Sequence, residues 1–295
     1  MKNRLQHDAA MLRVQSPAKI NLFLHVTAKR PDGYHDLYSL MCPITLSDTL
    51  TLTFGHQGVG LTCDHPGVPS DERNLAWRAA ALFLDRMPSG EGVHILLEKR
   101  IPVSAGLGGG SSNAAAVLTA LNRRSGCPFS LKILMEMGRS LGADVPFFLL
   151  NRPAIAEGIG DRLTAYDRLD RFFLVLLGFS FGVSTANVYK NLNLGLTKCK
   201  KANTSFPLEK GQDFDILQYL CNDLETVTIH EFPEIDAAKA ALMKHGSAGA
   251  LMSGSGPTVF GLFHTAEKRD HALASLSAMG NWRAYSAELM VRPIE

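Results

Sequence analysis

Apolar and polar residues alternate through Ile20-Asn21-Leu22-Phe23-Leu24-His25-Val26. That period of two predicts a strand burying Ile20, Leu22, Leu24 and Val26. Leu12-Arg13-Val14 predicts a separate strand before it, with Ser16-Pro17-Ala18-Lys19 as the break. Further strands are predicted over 37–44, 48–54, 61–63 and 93–98, the second alternating through Leu50, Leu52 and Phe54. The period then lengthens. Residues 74–87 read as a helix capped by Asp71 or Asn74, and residues 113–123 as another with Val117, Leu118 and Leu121 at helical spacing. A third, 131–141, lies between Ser130 as cap and Gly142 as stop. The second half opens on a continuous apolar run, Phe172-Phe173-Leu174-Val175-Leu176-Leu177, which predicts a buried strand. Ser184-Thr185 then caps a short helix holding Asn187 and Tyr189. Residues 191–211, rich in Lys, Asn and Gly, predict a mobile loop. Helices near 213–221, 234–245 and 266–279 follow, with strands at 248–251, 258–263 and 282–291. The pattern is mixed α/β.

One stretch falls outside both periods. Pro102-Val103-Ser104-Ala105-Gly106-Leu107-Gly108-Gly109-Gly110-Ser111-Ser112 stands between a strand and an Ala-rich helix. Glycine lets backbone N–H groups approach a ligand that side chains would block. Ser111 or Ser112 can cap the helix. A helix N-terminus adds unpaired donors and partial positive charge. Together these predict a phosphate cradle rather than a flexible turn. Helix follows helix after this loop, and the glycine order is not G-x-G-x-x-G. A dinucleotide-binding unit needs a strand there, so that fold is excluded. No G-x-x-x-x-G-K-[ST] occurs either.

Composition narrows the class. The 295 residues carry a formal net charge of +2, which gives no sign of general nucleic-acid binding. The longest apolar run is far too short to span a membrane, and the N-terminus lacks the apolar core of a signal peptide. Cys42, Cys63, Cys127, Cys199 and Cys221 are odd in number and widely spaced. Reduced core thiols in a cytoplasmic protein are therefore expected.

Other residues are ambiguous singly. Lys19 stands near a strand start. Tyr34 and His35 follow the turn Pro31-Asp32-Gly33, as a binding pair or a covered surface patch. Asp144 reads as a helix N-cap before Pro146. Met252-Ser253-Gly254-Ser255-Gly256-Pro257 reads as a hairpin loop.

Three separated signatures line up. Ser16-Pro17-Ala18-Lys19-Ile20-Asn21-Leu22, the glycine loop before its helix, and Gly254-Ser255-Gly256-Pro257 between late strands together resemble the GHMP kinase superfamily. Arg30-Pro31-Asp32-Gly33-Tyr34-His35, Gly142-Ala143-Asp144-Val145-Pro146, Ala156-Glu157-Gly158-Ile159-Gly160 and Asn222-Asp223-Leu224-Glu225 make the resemblance specific. It covers about Val14 to Phe263.

The resemblance implies an α/β (α+β) fold of two domains, about 12–165 and 166–295, with the active site in the cleft between them. It implies ATP as phosphoryl donor, with Mg²⁺, along Pro102 to Ser112. Asn74 and Lys99 are candidates for the adenine side. Lys19 and Asp144 match the catalytic lysine and aspartate. Asn21, Tyr34, His35, Thr185 and Tyr189 match the site of a small-molecule cytidine-diphosphate substrate, with Tyr34 and Tyr189 on the two faces of the base. Gly254, Ser255 and Gly256 would approach the phosphates. No membrane or nucleic-acid partner is implied, and a monomer or a homodimer fits. No carboxylate ligand for Mg²⁺ can be named. Sister kinases of homoserine or mevalonate type, and a non-catalytic nucleotide-binding regulator, are the alternatives.

Overall fold

The computed structural model describes residues 11–87, 91–195, 199 and 215–292. The first half opens on β1 (Met11–Lys29) and β2 (His35–His56), followed by β3 (Val59–Cys63), helix α1 (Leu75–Arg86) and β4 (Gly92–Glu98). Three helices come next, α2 (Gly109–Arg124), α3 (Leu131–Leu141) and α4 (Val145–Leu150). The hairpin β5 (Ala154–Gly158) and β6 (Arg162–Ala165) leads into β7 (Phe173–Gly178) and α5 (Thr185–Asn191). A 3₁₀ turn at Ile216–Gln218 precedes β8 (Cys221–Asn222), α6 (Glu225–Glu231), α7 (Glu234–Lys244), β9 (Gly249–Met252), β10 (Val259–Phe263), α8 (Ala266–Ala278) and β11 (Arg283–Glu288).

Seven strands form one sheet, in the order β3-β4-β2-β1-β8, with β5 added on β2 and β6 on β5. Four form an antiparallel sheet, β11-β7-β10-β9. The chain divides into two compact units, neither continuous in sequence. Unit 1 comprises Met1–Ala18, Ser47–Val103 and Gly108–Leu150, and unit 2 comprises Lys19–Leu46, Ser104–Leu107 and Asn151–Glu295. Unit 1 buries Ala79, Ala80 and Phe83 of α1 and Val117, Leu118 and Leu121 of α2, which pack together. Unit 2 centres on Val175 and Leu177 of β7, Val259 and Phe263 of β10, Leu242 of α7 and Leu276 of α8. Each of these Val, Leu and Phe side chains contributes about 1.5–3 kcal/mol on burial.

The caps at Asn74, Ser130 and Ser184 fall as predicted: each side chain accepts a backbone N–H of its helix's first turn. Five expectations are corrected. First, no break separates two strands at 16–19. Proline's φ suits an extended chain, and β1 runs through Pro17 unbroken. Second, 37–44 and 48–54 are one strand, because β2 finds β5 along Leu37–Met41 and β4 along Thr49–His56. Third, neither Ser111 nor Ser112 caps α2; the cap is Gly108, in the left-handed region at φ 70°, with no side-chain hydrogen bond. Fourth, the helix expected near 213–221 is, among the described residues, only the 3₁₀ turn before β8. Most of the expected loop over 191–211 lies outside the described residues. Fifth, the cysteines are not all reduced: Cys199 and Cys221, 22 positions apart, form a disulfide with Cα atoms 5.8 Å apart. Spacing in sequence hid that proximity. Cys42, Cys63 and Cys127 are free thiols.

Candidate active site

In unit 1, α2 starts at the glycines without a side-chain cap. Its first amides therefore face outward as donors, in the arrangement that binds anions. Beneath them lies a buried polar network. Asp48, fully buried, pairs with the Lys99 ammonium, which is itself 5% exposed. Asp48 Oδ1 accepts the Arg100 and Ile101 amides at 2.8 Å each, and Oδ2 accepts from Asn113 Nδ2 at 3.0 Å. Asn113 also donates to Ser16 Oγ at 2.9 Å, and Ser16 donates to Ser112 Oγ at 2.7 Å. The network ties the β4 exit, β1 and the first turn of α2 together. A Cβ on Gly109 would stand 3.1 Å from Lys99 Nζ.

Lys99 therefore lies under the loop as the partner of Asp48. Asn74 is engaged at both ends of its amide: Oδ1 accepts from Ala76 N–H at 2.9 Å and Nδ2 donates to the Pro69 carbonyl at 2.8 Å. Sequence reasoning missed Asp48, Ser16 and Asn113. A lone Asp between two apolar strand segments was the available signal.

Asp144 ends the turn between α3 and α4 and is half-buried. Among the described residues no hydrogen bond or ion pair engages its carboxylate. The turn lies near α2, since a Cβ on Gly142 would stand 3.7 Å from Ser111 Oγ.

In unit 2, three segments converge. Lys19 N–H leaves the sheet and donates to the Leu107 carbonyl at 3.0 Å. The Lys19 ammonium, 5% exposed, donates to Asn21 Oδ1 at 2.6 Å. Asn21 donates onward to Ser39 Oγ at 2.8 Å, and Ser39 to the Phe23 carbonyl at 2.6 Å. A chain of donors thus fixes both the ammonium and the amide. The 253–256 turn sits beside it: a Cβ on Gly254 would be 3.4 Å from Lys19 Nζ. Asn222 Nδ2 holds that turn through the Met252 and Gly254 carbonyls, at 2.8 and 2.7 Å. Ser253 Oγ donates to the Gly106 carbonyl at 3.0 Å.

The 104–107 segment is strained where it meets the turn. Ser104 has φ 54° and Gly106 φ 76°. A Cβ on Gly106 would stand 2.1 Å from the Ser253 carbonyl oxygen, a backbone atom that cannot swing away. Gly106→Ala is expected to cost more than about 1–2 kcal/mol, the left-handed penalty alone, and to raise KM for the phosphoryl donor at least tenfold. Gly110→Ala is the control for stability, because its Cβ would meet only Leu75 at an ordinary 3.6 Å. Thermal unfolding and steady-state kinetics of both variants check the contrast.

Tyr189 stacks on His35 with centroids 5.2 Å apart, while Tyr34 is 62% exposed. Burial lowers the His35 pKa, aided by the Lys29 charge, which favours the neutral ring. Thr185 Oγ1 meets Ser255 Oγ at 2.8 Å, tying the start of α5 to the glycine turn.

The chain belongs to the GHMP kinase family: residues 74–152 match the GHMP kinases N terminal domain and residues 208–281 the GHMP kinases C terminal domain. It is 46% identical over 275 residues to the 4-diphosphocytidyl-2-C-methyl-D-erythritol kinase of Syntrophus aciditrophicus, covering 93% of this chain and 98% of that protein. The enzyme of the same name from Geobacter metallireducens is 44% identical, over 95% and 99% of the two chains. A crystal structure of 4-(cytidine 5'-diphospho)-2C-methyl-D-erythritol kinase superposes with a TM-score of 0.76 at 36% identity, over 94% of this chain and 99% of that one. Mevalonate kinase of L. major, at 17% identity and a TM-score of 0.71, shares the fold. No helix among the described residues is long and apolar enough to cross a membrane.

Proposed function

We propose that this chain uses ATP to phosphorylate the 2-hydroxyl of 4-diphosphocytidyl-2-C-methyl-D-erythritol, in the cytoplasm, as a step of isoprenoid precursor synthesis. The observation that carries the reading to the residues is the buried Lys19 ammonium, fixed by Asn21 beside the Gly254 turn. A buried lysine beside a glycine turn is an arrangement that suits a phosphate.

In this reading residues 12–165 carry the nucleotide and 166–295 complete the substrate site. Phosphoryl transfer asks mainly for positioning and neutralised charge. The amides of 102–112 hold the phosphate oxygens of the donor. Asp144 accepts the proton of the attacking hydroxyl. Lys19 offsets charge on the transferring group. Mg²⁺, bound with ATP, would supply further neutralisation. The Ser111 hydroxyl, which no hydrogen bond takes up among the described residues, fits as an oxygen donor to it. Tyr34 and Tyr189 hold the two faces of the cytosine, with His35 beside them. Thr185, Ser255 and Gly256 line the path of the diphosphate. Holding the base far from the reacting hydroxyl puts remote binding energy into orientation.

The direct test is product identity: with ATP and the cytidine substrate, phosphorus NMR should show a new phosphomonoester on the 2-oxygen. Phosphate on another oxygen, or none, contradicts the reading. Tyr189→Ala should raise KM for the cytidine substrate by about tenfold or more, the worth of one base–ring stack, with KM for ATP unchanged. An equal rise in both KM values would remove Tyr189 from the base site.

A further inference from the structure

One cluster in unit 2 has no part in phosphoryl transfer. His25, Cys199 and Asp223 bring an imidazole nitrogen, a sulfur and a carboxylate oxygen within 4.8 Å of one another. Local structure explains the convergence. β1 and β8 run parallel, with Phe23 opposite Cys221 and Leu24 opposite Asn222. That register sets His25 beside Asp223. Asp223 N–H donates to the Leu24 carbonyl at 2.9 Å, which locks the alignment. Cys199 reaches the cluster through its bond to Cys221.

A second observation concerns Asp223. It is 3% exposed; Oδ2 accepts the Val26 amide at 2.8 Å, yet Oδ1 is buried without a hydrogen bond. A buried carboxylate oxygen left unmatched needs a positive partner.

We propose that reduction of the Cys199–Cys221 disulfide opens a Zn²⁺ site built from Cys199, Cys221, His25 and Asp223. The disulfide takes two electrons and two protons from a dithiol reductant, which leaves as its own disulfide. Binding of Zn²⁺ then displaces the two thiol protons. Two thiolates, an imidazole and a carboxylate make the four-coordinate donor set of a structural zinc, whereas Mg²⁺ and Ca²⁺ prefer oxygen throughout. Zinc–sulfur bonds of about 2.3 Å in a tetrahedron hold the sulfurs about 3.8 Å apart, a small separation from the bonded pair. Disulfide and zinc exclude each other, since the metal needs both thiolates. Either one ties Cys199 to β1 and β8.

The test uses the full chain, reduced with a phosphine, freed of metal and titrated with Zn²⁺ against a chromogenic chelator. One equivalent should bind, and diamide oxidation beforehand should abolish it. C199S and the C199S/C221S double variant should weaken it more than about 100-fold, a larger loss than removal of a merely orienting group causes. D223N should weaken it about tenfold or more. Should D223N fail to fold, Co²⁺ added to the reduced wild-type chain carries the test alone, through a thiolate-to-cobalt charge-transfer band. No bound equivalent, binding that survives oxidation, or a cobalt band retained in the double variant would overturn the proposal.

Discussion

Asp144→Asn is expected to cut kcat by about 10²–10⁴-fold, the range that a positioned general base supplies, while KM for ATP and for the cytidine substrate stays within a few-fold. Asparagine keeps the shape and removes the proton acceptor. The half-buried carboxylate has no intramolecular partner among the described residues, so the fold should not register the change. An unchanged melting temperature beside a collapsed kcat would separate chemistry from stability. Turnover near that of the wild type would take Asp144 out of the mechanism, and equal losses in Tm and kcat would recast it as structural.

Asp48→Ala is expected to destabilise the protein by about 3–5 kcal/mol, as removal of one partner from a buried ion pair does. Asp48 is fully buried and Lys99 is 5% exposed, so the ammonium left behind cannot find water without disturbing the strand exit. The Arg100 and Ile101 amides and Asn113 Nδ2 would lose their acceptor as well. Denaturant unfolding measures the effect. Adding Lys99→Met should restore part of the loss, since the orphaned charge then disappears. A single-variant cost below about 1 kcal/mol, or no recovery in the double variant, would show that the network does not support the loop.

Much of the local structure was legible in the sequence because local interactions decide it. Asn74, Ser130 and Ser184 cap their helices through bonds within one turn. Leu174 to Leu177 are buried as their unbroken hydrophobicity requires. The misreadings share one cause: the deciding partner lies far along the chain. Whether β2 breaks at Ser47-Asp48 depends on β4 and β5, strands that begin 44 and 106 positions beyond Asp48 (92 − 48 and 154 − 48). The Cys199–Cys221 bond depends on how the segment after α5 returns to β8.

The site was partly legible for the same reason. The glycine loop and Lys19 stand in sequence contexts that announce phosphate chemistry. Lys99 carries the same charge, yet the structure spends it on Asp48, a pairing that no spacing rule reveals. Tyr189 stacks on His35 because α5 places its ring against the start of β2.

The most direct measurement is ADP release, coupled to a dehydrogenase, with 4-diphosphocytidyl-2-C-methyl-D-erythritol, homoserine and mevalonate compared side by side. The account predicts turnover on the cytidine substrate with kcat/KM at least about 10³-fold above either simple alcohol, since those leave the base site's polar groups unpaired. Equal or better turnover on homoserine or mevalonate, or ATP binding with no turnover on any of the three, would contradict it.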